Sequence, residues 1–183
     1  MTLSPEADDR DAIRKSWGWF LALGILLLVF GFIAAGNLFL ATIASTYLVG
    51  ILMIIAAFAE IIHAFSVPGW GSKIFAVIAA ALYGFAGYFA FSQPLAATAT
   101  LTLALGALLL ATGVIRAFMA FRDRDVIGWG WLLFGGIVTA IAGLLILSGW
   151  PGNSVWVLGL VLAVDMIATG IGYIMISLGL KDV

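Results

Sequence analysis

Six long runs of apolar residues, separated by short breaks of polar and turn-forming residues, dominate the chain. The runs cover about residues 17–35, 38–65, 74–91, 95–121, 128–147 and 155–178. Each run is continuously apolar and approaches the roughly 20 residues that a helix needs to cross a bilayer. Strands of a membrane β-barrel would instead alternate over about 10 residues. The pattern predicts an all-α integral membrane bundle of six transmembrane helices.

Composition supports lipid as the main solvent of the chain. Hydrophobic residues make up 64% of it and charged residues 9%, whereas soluble domains have roughly 25% charged residues. The net charge of -1 favours neither nucleic acid nor an acidic partner. There is no cysteine and only one histidine, so we expect no cofactor and no metal. No nucleophile lies beside a candidate base, and we expect no enzyme.

The distribution of Lys and Arg predicts the orientation in the membrane. Seven of the eight lie in the two tails and in the second and fourth loops, and Arg116 lies in the fourth span near the same side. The first, third and fifth loops contain none. Positive charge marks the cytoplasmic side, so both termini of this multi-pass protein are expected in the cytoplasm.

An internal repeat is visible in the glycines. Gly31, Gly87 and Gly143 recur at a constant interval in the odd-numbered spans. In the even-numbered spans, Gly50, Gly106 and Gly159 open similar apolar segments. The repeat is interpreted as a helical hairpin used three times in the same orientation, unlike the inverted repeats of many transporters.

The predicted organisation is one membrane domain between two short tails. The cytoplasmic tails are residues 1–16 and 179–183, and the transmembrane domain is 17–178. Its three hairpin units cover about residues 17–65, 74–121 and 128–178.

Three two-helix units, a Trp near the start of each odd span (Trp17, Trp70 and Trp129) and Gly-Pro outer turns resemble the HdeD family of bacterial inner-membrane proteins. The resemblance covers about residues 14–180, although the first unit has Gly36-Asn37 in place of a turn proline. It implies a role in resistance to acid stress at high cell density. The family has no established catalytic or binding residues to carry over.

Small residues at a spacing of four predict close helix packing, because they let two backbones approach in lipid. The interpretation is packing within the bundle, and the alternative is a homo-oligomer built on one such face. The candidates are Gly135, Thr139 and Gly143 in the fifth span, Ala80 and Gly84 in the third, and Ala168 and Gly172 in the sixth.

Four ionisable residues inside the spans are the candidates for function, because such residues are costly in a membrane. They are Glu60, His63, Arg116 and Asp165. Glu60 and His63 form a Glu-x-x-His pair, which is half of a di-iron motif, but no second such pair exists within the spans. Glu60 and Arg116 each lie ten residues after a repeat glycine. They either reach the cytoplasmic interface separately or form an ion pair between repeats.

Asp165 lies near the middle of the sixth span. The membrane interior favours the neutral form of a carboxyl group. The structural interpretation is a neutral Asp that is hydrogen-bonded to a second helix. The functional interpretation is proton sensing or conduction.

Three functional hypotheses follow. The first is a non-enzymatic HdeD-like inner-membrane protein that acts in acid or envelope stress. The second is a small channel or transporter for protons or solutes. The third is a structural or accessory subunit of a larger membrane complex. The expected partners are the lipid bilayer and either further copies of the chain or another membrane protein.

The predicted orientation can be tested with reporter fusions. A reporter fused after Lys181 is expected to read cytoplasmic, and one inserted between Gly152 and Ser154 is expected to read external, because all loop cations lie on the other side. An external signal from the C-terminal fusion would mean a wrong span count or a cleaved first span.

Overall fold

The computed structural model of the protein describes residues 17–124 and 128–181, apart from the side chains of 180 and 181. These residues contain six α-helices and no strand. The helices are α1 (Trp17–Gly36), α2 (Leu38–Ser66), α3 (Trp70–Ser92), α4 (Pro94–Arg122), α5 (Trp129–Gly149) and α6 (Ser154–Lys181). Each is long and apolar enough to cross a membrane. The predicted all-α bundle of six membrane helices is confirmed, while the predicted tail 1–16 lies outside the described residues.

The helix boundaries differ from the predicted runs by a few residues. The largest difference is at α3, which begins at Trp70 rather than at residue 74. The predicted run begins after the charged Lys73. A charged side chain in the first turn of a membrane helix can extend into the headgroup region, so Lys73 does not prevent an earlier start. α6 likewise continues to Lys181, beyond the predicted end at residue 178.

Short turns with specific chemistry separate the helices. Asn37 alone lies between α1 and α2, and its Oδ1 accepts a hydrogen bond of 3.1 Å from the backbone N–H of Leu40. Pro94 occupies the first position of α4, where a missing N–H is tolerated. Gly69, just before α3, has φ of 95°, a conformation that favours glycine.

Most of the helix surface is apolar and faces outward. In the candidate spans, no more than 22% of the residues are buried inside the protein. α2 and α4 have 29 residues each and are therefore about 43 Å long. The hydrocarbon core of a bilayer is about 30 Å thick, so the ends of these two helices extend into the headgroups.

The described chain divides into two compact units. One contains residues 17–41 and 159–181, and the other contains residues 42–124 and 128–158. In the first unit, α1 packs on α6 through glycines. A Cβ built on Gly24 would lie 2.8 Å from the carbonyl oxygen of Gly170, and one built on Gly31 would lie 3.1 Å from the backbone nitrogen of Ile167. Only glycine allows backbones to approach this closely.

In the second unit, the same contact joins α2 to α3 and α4 to α5. A Cβ built on Gly87 would lie 3.0 Å from the carbonyl oxygen of Gly50. One built on Gly143 would lie 2.8 Å from the carbonyl oxygen of Gly106 and would also collide with the backbone of Leu110. Each even-numbered helix of this unit therefore meets the odd-numbered helix that follows it.

These contacts correct the alignment of the repeats. Gly31 lies against Ala163, as Gly87 lies against Gly50 and Gly143 against Gly106. The equivalent of Gly50 and Gly106 in α6 is thus Ala163, and the choice of Gly159 was wrong by one helical turn. Alanine is small enough to accept the same approach, so this position need not carry glycine in every copy.

The glycine contacts also cross the boundaries of the predicted hairpin units. The hairpins pair α1 with α2, α3 with α4 and α5 with α6, whereas the closest backbone approaches join α2 to α3, α4 to α5 and α6 to α1. The unit of tight packing is a pair made from two neighbouring hairpins.

A pair of substitutions in α5 tests the role of these glycines. Gly143→Ala is expected to destabilise the protein by roughly 1–3 kcal/mol, the usual cost of overpacking, because the new methyl group would collide with the backbone of α4. Gly135→Ala is the control, since a Cβ there has nothing within 4 Å, and it should be neutral or slightly stabilising. Thermal unfolding in detergent measures both, and equal melting temperatures would contradict the packing role.

Candidate functional site

Glu60 and His63 line one open cleft between α2 and α3. Its volume is about 340 Å³, and the other lining residues are Ser72, Phe75, Ala76 and Ala79. Glu60 is half-buried and His63 is exposed. No group of three His, Asp or Glu side chains that could hold a metal ion occurs among the described residues. The cleft therefore offers a carboxylate, an imidazole and a hydroxyl beside an apolar wall.

Arg116 lies on α4 at the repeat position of Glu60 and is exposed. No ion pair within 4.0 Å joins Glu60 to Arg116 in the described part of the chain. The repeat alignment with Ala163 gives Tyr173 as the equivalent residue of α6, where its ring lies 5.9 Å from that of Phe20. One repeat position thus holds an acidic, a basic and an aromatic residue in the three copies.

Asp165 is exposed on the outer surface of α6, and its carboxyl group makes no hydrogen bond to any residue that the structure describes. This corrects the interpretation that it bonds to a second helix. The equivalent residues of the other repeats are Leu52 and Leu108, which are 54% and 64% exposed. A carboxyl group therefore stands in α6 where the other copies present leucine outward.

The predicted packing residues do not all meet a neighbour within the chain. Gly143 contacts α4, Ala80 is buried, and a Cβ built on Gly84 would lie 3.8 Å from the Cβ of Ala57. Gly135 and Gly172 have open space around them.

The other members of that group also face outward or bond within their own helix. Ala168 is exposed. Thr139 donates a hydrogen bond of 2.8 Å to the carbonyl oxygen of Gly135 in its own helix. The stripe assigned to α5 is corrected by one residue, because Gly136 rather than Gly135 lies against α4, with the carbonyl oxygen of Gly113 3.0 Å from its built Cβ.

The sequence interpretation missed a buried group of threonines. Thr42 and Thr46 of α2 and Thr98 and Thr102 of α4 are almost completely buried. The hydroxyl oxygens of Thr46 and Thr98 lie 2.7 Å apart and join the two helices directly. The signal was present as the pattern Thr-x-x-x-Thr in α2, which recurs in α4 at the same interval as the repeat glycines.

The hydrogen-bonding contacts of Thr46 and Thr98 outnumber the protons that their two hydroxyl groups can donate. Thr46 Oγ1 lies 3.0 Å from the carbonyl oxygen of Thr42, and Thr98 Oγ1 lies 2.7 Å from that of Pro94. With the contact between the two hydroxyls, two protons serve three contacts. Whichever hydroxyl donates to the other must give up the bond to its own helix. The pair can thus exchange between two arrangements without moving the backbone.

Two further hydroxyls of the second unit are buried without partners. Thr102 Oγ1 and Ser154 Oγ have no hydrogen-bond partner among the described residues. Leaving such a group unpaired costs roughly 1–3 kcal/mol. Thr102 and Ser154 both lie within the first nine residues of their helices, α4 and α6. The unpaired hydroxyl groups of this unit thus lie near the N-terminal ends of α4 and α6, after the turns at residues 93 and 150–153.

Comparison with known proteins identifies the repeat. A family described as "Short repeat of unknown function (DUF308)" matches residues 22–92 and again residues 78–148. The offset between the two matches equals the spacing between Gly31 and Gly87 and between Gly87 and Gly143. No curated protein and no solved structure matches the chain.

A double-mutant cycle tests the bond between Thr46 and Thr98. The single substitutions Thr46→Val and Thr98→Val, which preserve shape, and their combination are expected to give a coupling free energy of roughly 0.6–1.7 kcal/mol, the range of hydrogen bonds between membrane helices. Thr112→Val is the control, because the exposed Thr112 bonds only to carbonyl groups of its own helix. Additive effects of Thr46→Val and Thr98→Val on unfolding in detergent would contradict the bond.

Proposed function

The chain belongs to the DUF308 family of short repeats, and from that premise we propose that it is a non-enzymatic, HdeD-like protein of the bacterial inner membrane. In this proposal, it acts in resistance to acid or envelope stress, with both termini in the cytoplasm. The membrane repeat and the resemblance of its hairpins, tryptophans and turns to the HdeD family support the proposal.

The position of Asp165 is the observation that carries the acid-stress role. It stands on the outer face of α6, at a depth where apolar side chains surround it, including the exposed Val161 and Val164. An Asp at the centre of a membrane helix costs about 2.5–3.5 kcal/mol on insertion scales. Protonation removes the charge and most of that penalty. Acid therefore changes how well this face of α6 tolerates an apolar neighbour, lipid or protein.

A channel or transporter is the weaker alternative. The buried polar side chains of the described residues are threonines and serines, and most of their hydrogen bonds run within a helix or between two helices. A cavity of about 80 Å³ between α2, α3 and α4 has apolar walls, among them Val49, Met53 and Phe89. A path for protons or polar solutes needs more polar groups than these.

An accessory or oligomeric role has one observation in its favour. On α6, Asp165, Ala168 and Gly172 share a face that no other described residue covers, since a Cβ built on Gly172 has nothing within 4 Å. Small residues of this kind permit close contact between membrane helices. A protein that acts through this face would bring Asp165 into contact with its partner.

The outward position of Asp165 predicts a specific cost of its charge. At neutral pH, Asp165→Leu should stabilise the protein by up to about 3 kcal/mol, because leucine replaces a carboxylate on an apolar face. Melting temperatures in detergent or nanodiscs measure the difference, and equal melting temperatures would exclude such a cost.

Survival at low pH then separates function from stability. Asp165→Asn keeps the shape and cannot titrate, so cells that carry it should lose most of the acid protection given by the wild-type gene. Asp123→Asn is the matched control, because Asp123 is an exposed carboxyl group at the end of α4. Full protection by Asp165→Asn would remove Asp165 from the mechanism. Equal survival with and without the wild-type gene would overturn the acid-stress role itself.

A further inference from the structure

The cleft between α2 and α3 runs inward from the turn that joins these two helices. Their glycine contacts show that α2 and α3 are antiparallel. A Cβ built on Gly84 would lie 3.8 Å from the Cβ of Ala57, so Glu60, nearly one turn further along α2, lies beside Ala79. Ser72 comes from the first turn of α3 and marks the mouth of the cleft. The carboxyl group of Glu60 is therefore at its deep end.

The deep end of the cleft lies well below the membrane surface. Ala79 is nine residues after Trp70, the first residue of α3, or about 14 Å along the helix axis. α3 has 23 residues and is therefore about 35 Å long, slightly longer than the roughly 30 Å of the hydrocarbon core. With α3 centred in the bilayer, Ala79 and Glu60 lie about 11 Å inside the hydrocarbon region.

A carboxylate at this depth needs a partner, and the described chain supplies none. Glu60 is half-buried and makes no hydrogen bond or ion pair with any described residue. The cleft that leads to it has a volume of about 340 Å³, room for about ten water molecules at roughly 30 Å³ each. His63 and Ser72 line the cleft, and both side chains can hydrogen-bond to water. Ionisable residues of membrane helices commonly face such water-filled cavities.

The cleft closes just beyond Glu60. There the side of Gly84 reaches contact distance from Ala57, and one turn further a Cβ built on Gly87 would lie 3.3 Å from the backbone nitrogen of Ile54. Helices this close leave no room for water between them. The recess is thus open at one end only, and it can hold a ligand but not conduct one across the membrane.

We propose that the cleft is an aqueous recess that binds a small organic cation with an ammonium group. The ammonium group donates charge-assisted hydrogen bonds to the Glu60 carboxylate. The hydrocarbon part of the ligand lies against Ala76 and Ala79, on the apolar wall that α3 provides. A hydrated inorganic ion would bring its water shell against that wall and gain nothing from it, so the composition of the cleft favours the organic cation.

Single cysteines test the recess, because the chain has none of its own. Ala79→Cys places a thiol at the deep end. Val77→Cys, on the exposed outer face of α3, is the control at nearly the same depth. In phosphatidylcholine nanodiscs, water-soluble thiosulfonate reagents should modify Ala79→Cys at least about tenfold faster than Val77→Cys, because the reactive thiolate forms in water and not in an apolar environment. Equal rates would overturn the aqueous recess.

The charge of the reagent tests the preference for cations. Each rate is divided by the rate of the same reagent with free mercaptoethanol. At Ala79→Cys, a cationic reagent should then exceed an anionic one at least about fivefold, the effect of one unit charge about 4 Å away in water. Glu60→Gln should abolish this preference. Ser72→Cys, at the mouth beside the exposed Lys73, should not show it.

Two results of the charge test would overturn the proposal. A preference that survives in a folded Glu60→Gln protein, or none at Ala79→Cys, would exclude Glu60 as the site of the cation. An equal preference at Ser72→Cys would show a general attraction of the protein surface for cations.

Competition identifies the ligand without a change at Glu60, so it remains decisive if Glu60→Gln fails to fold. Ethylammonium chloride should slow the modification of Ala79→Cys about tenfold once its concentration reaches ten times its dissociation constant. Potassium chloride at the same concentration should slow it much less. Equal protection by both salts would mean a hydrated inorganic cation in place of an organic one. No protection by ethylammonium at any concentration that the protein tolerates would exclude the site.

Discussion

Close approach between helix backbones is the constraint on which the rest of this structure depends. In lipid, apolar side chains gain nothing by leaving the solvent, because acyl chains are as apolar as leucine. Helices must therefore associate through van der Waals contact and hydrogen bonds. Glycine gives the closest approach, and Gly87 and Gly143 each lie against the backbone of the preceding helix. These contacts hold pairs of helices whose outer surfaces remain apolar.

The three copies keep this contact and differ in what they present elsewhere. The position of Glu60 carries Arg116 in the second copy and Tyr173 in the third. The position of Asp165 carries leucine in the two other copies. Because the packing positions are served by glycine or alanine in every copy, a change at an outward position leaves the helix pair intact. Duplication has thus separated residues that hold the fold from residues that are free to acquire a role.

The sequence predicts the fold well for a clear physical reason. Membrane helices and closed barrels both satisfy the backbone in lipid, and six continuously apolar runs in a chain with 9% charged residues lack the alternation of barrel strands. The constant interval between the repeat glycines is also visible in the sequence, and the two family matches are offset by the same interval. The sequence did not predict which helices pack tightly, because two helices joined by a short turn are not necessarily the two whose backbones approach most closely. Short turns made α1 and α2 look like a unit, whereas the glycines of α1 meet α6.

The candidate site was predicted less well, because spacing along a helix does not say which face is covered. Gly135 and Gly136 are neighbours in the chain, about 100° apart around the helix, and only Gly136 of the two meets a neighbouring helix. Asp165 was expected to bond inward, and it faces outward. The threonines were overlooked because threonine bonds readily to its own backbone in a helix. Their repetition at the interval of the glycines was the distinguishing signal.

Buried hydroxyl groups and ionisable groups offset the cost of a polar group in a membrane in opposite ways. Buried hydroxyls such as those of Thr46 and Thr98 satisfy each other or their own helix, so they need nothing from outside and help to fix the pairing of α2 with α4. The carboxyl groups of Glu60 and Asp165 find no such partner among the described residues. These two groups depend on what adjoins their helices. A membrane protein built from repeats of small residues has little chemistry inside. Candidate interaction residues must then be sought on the outer faces, at the positions where the copies disagree.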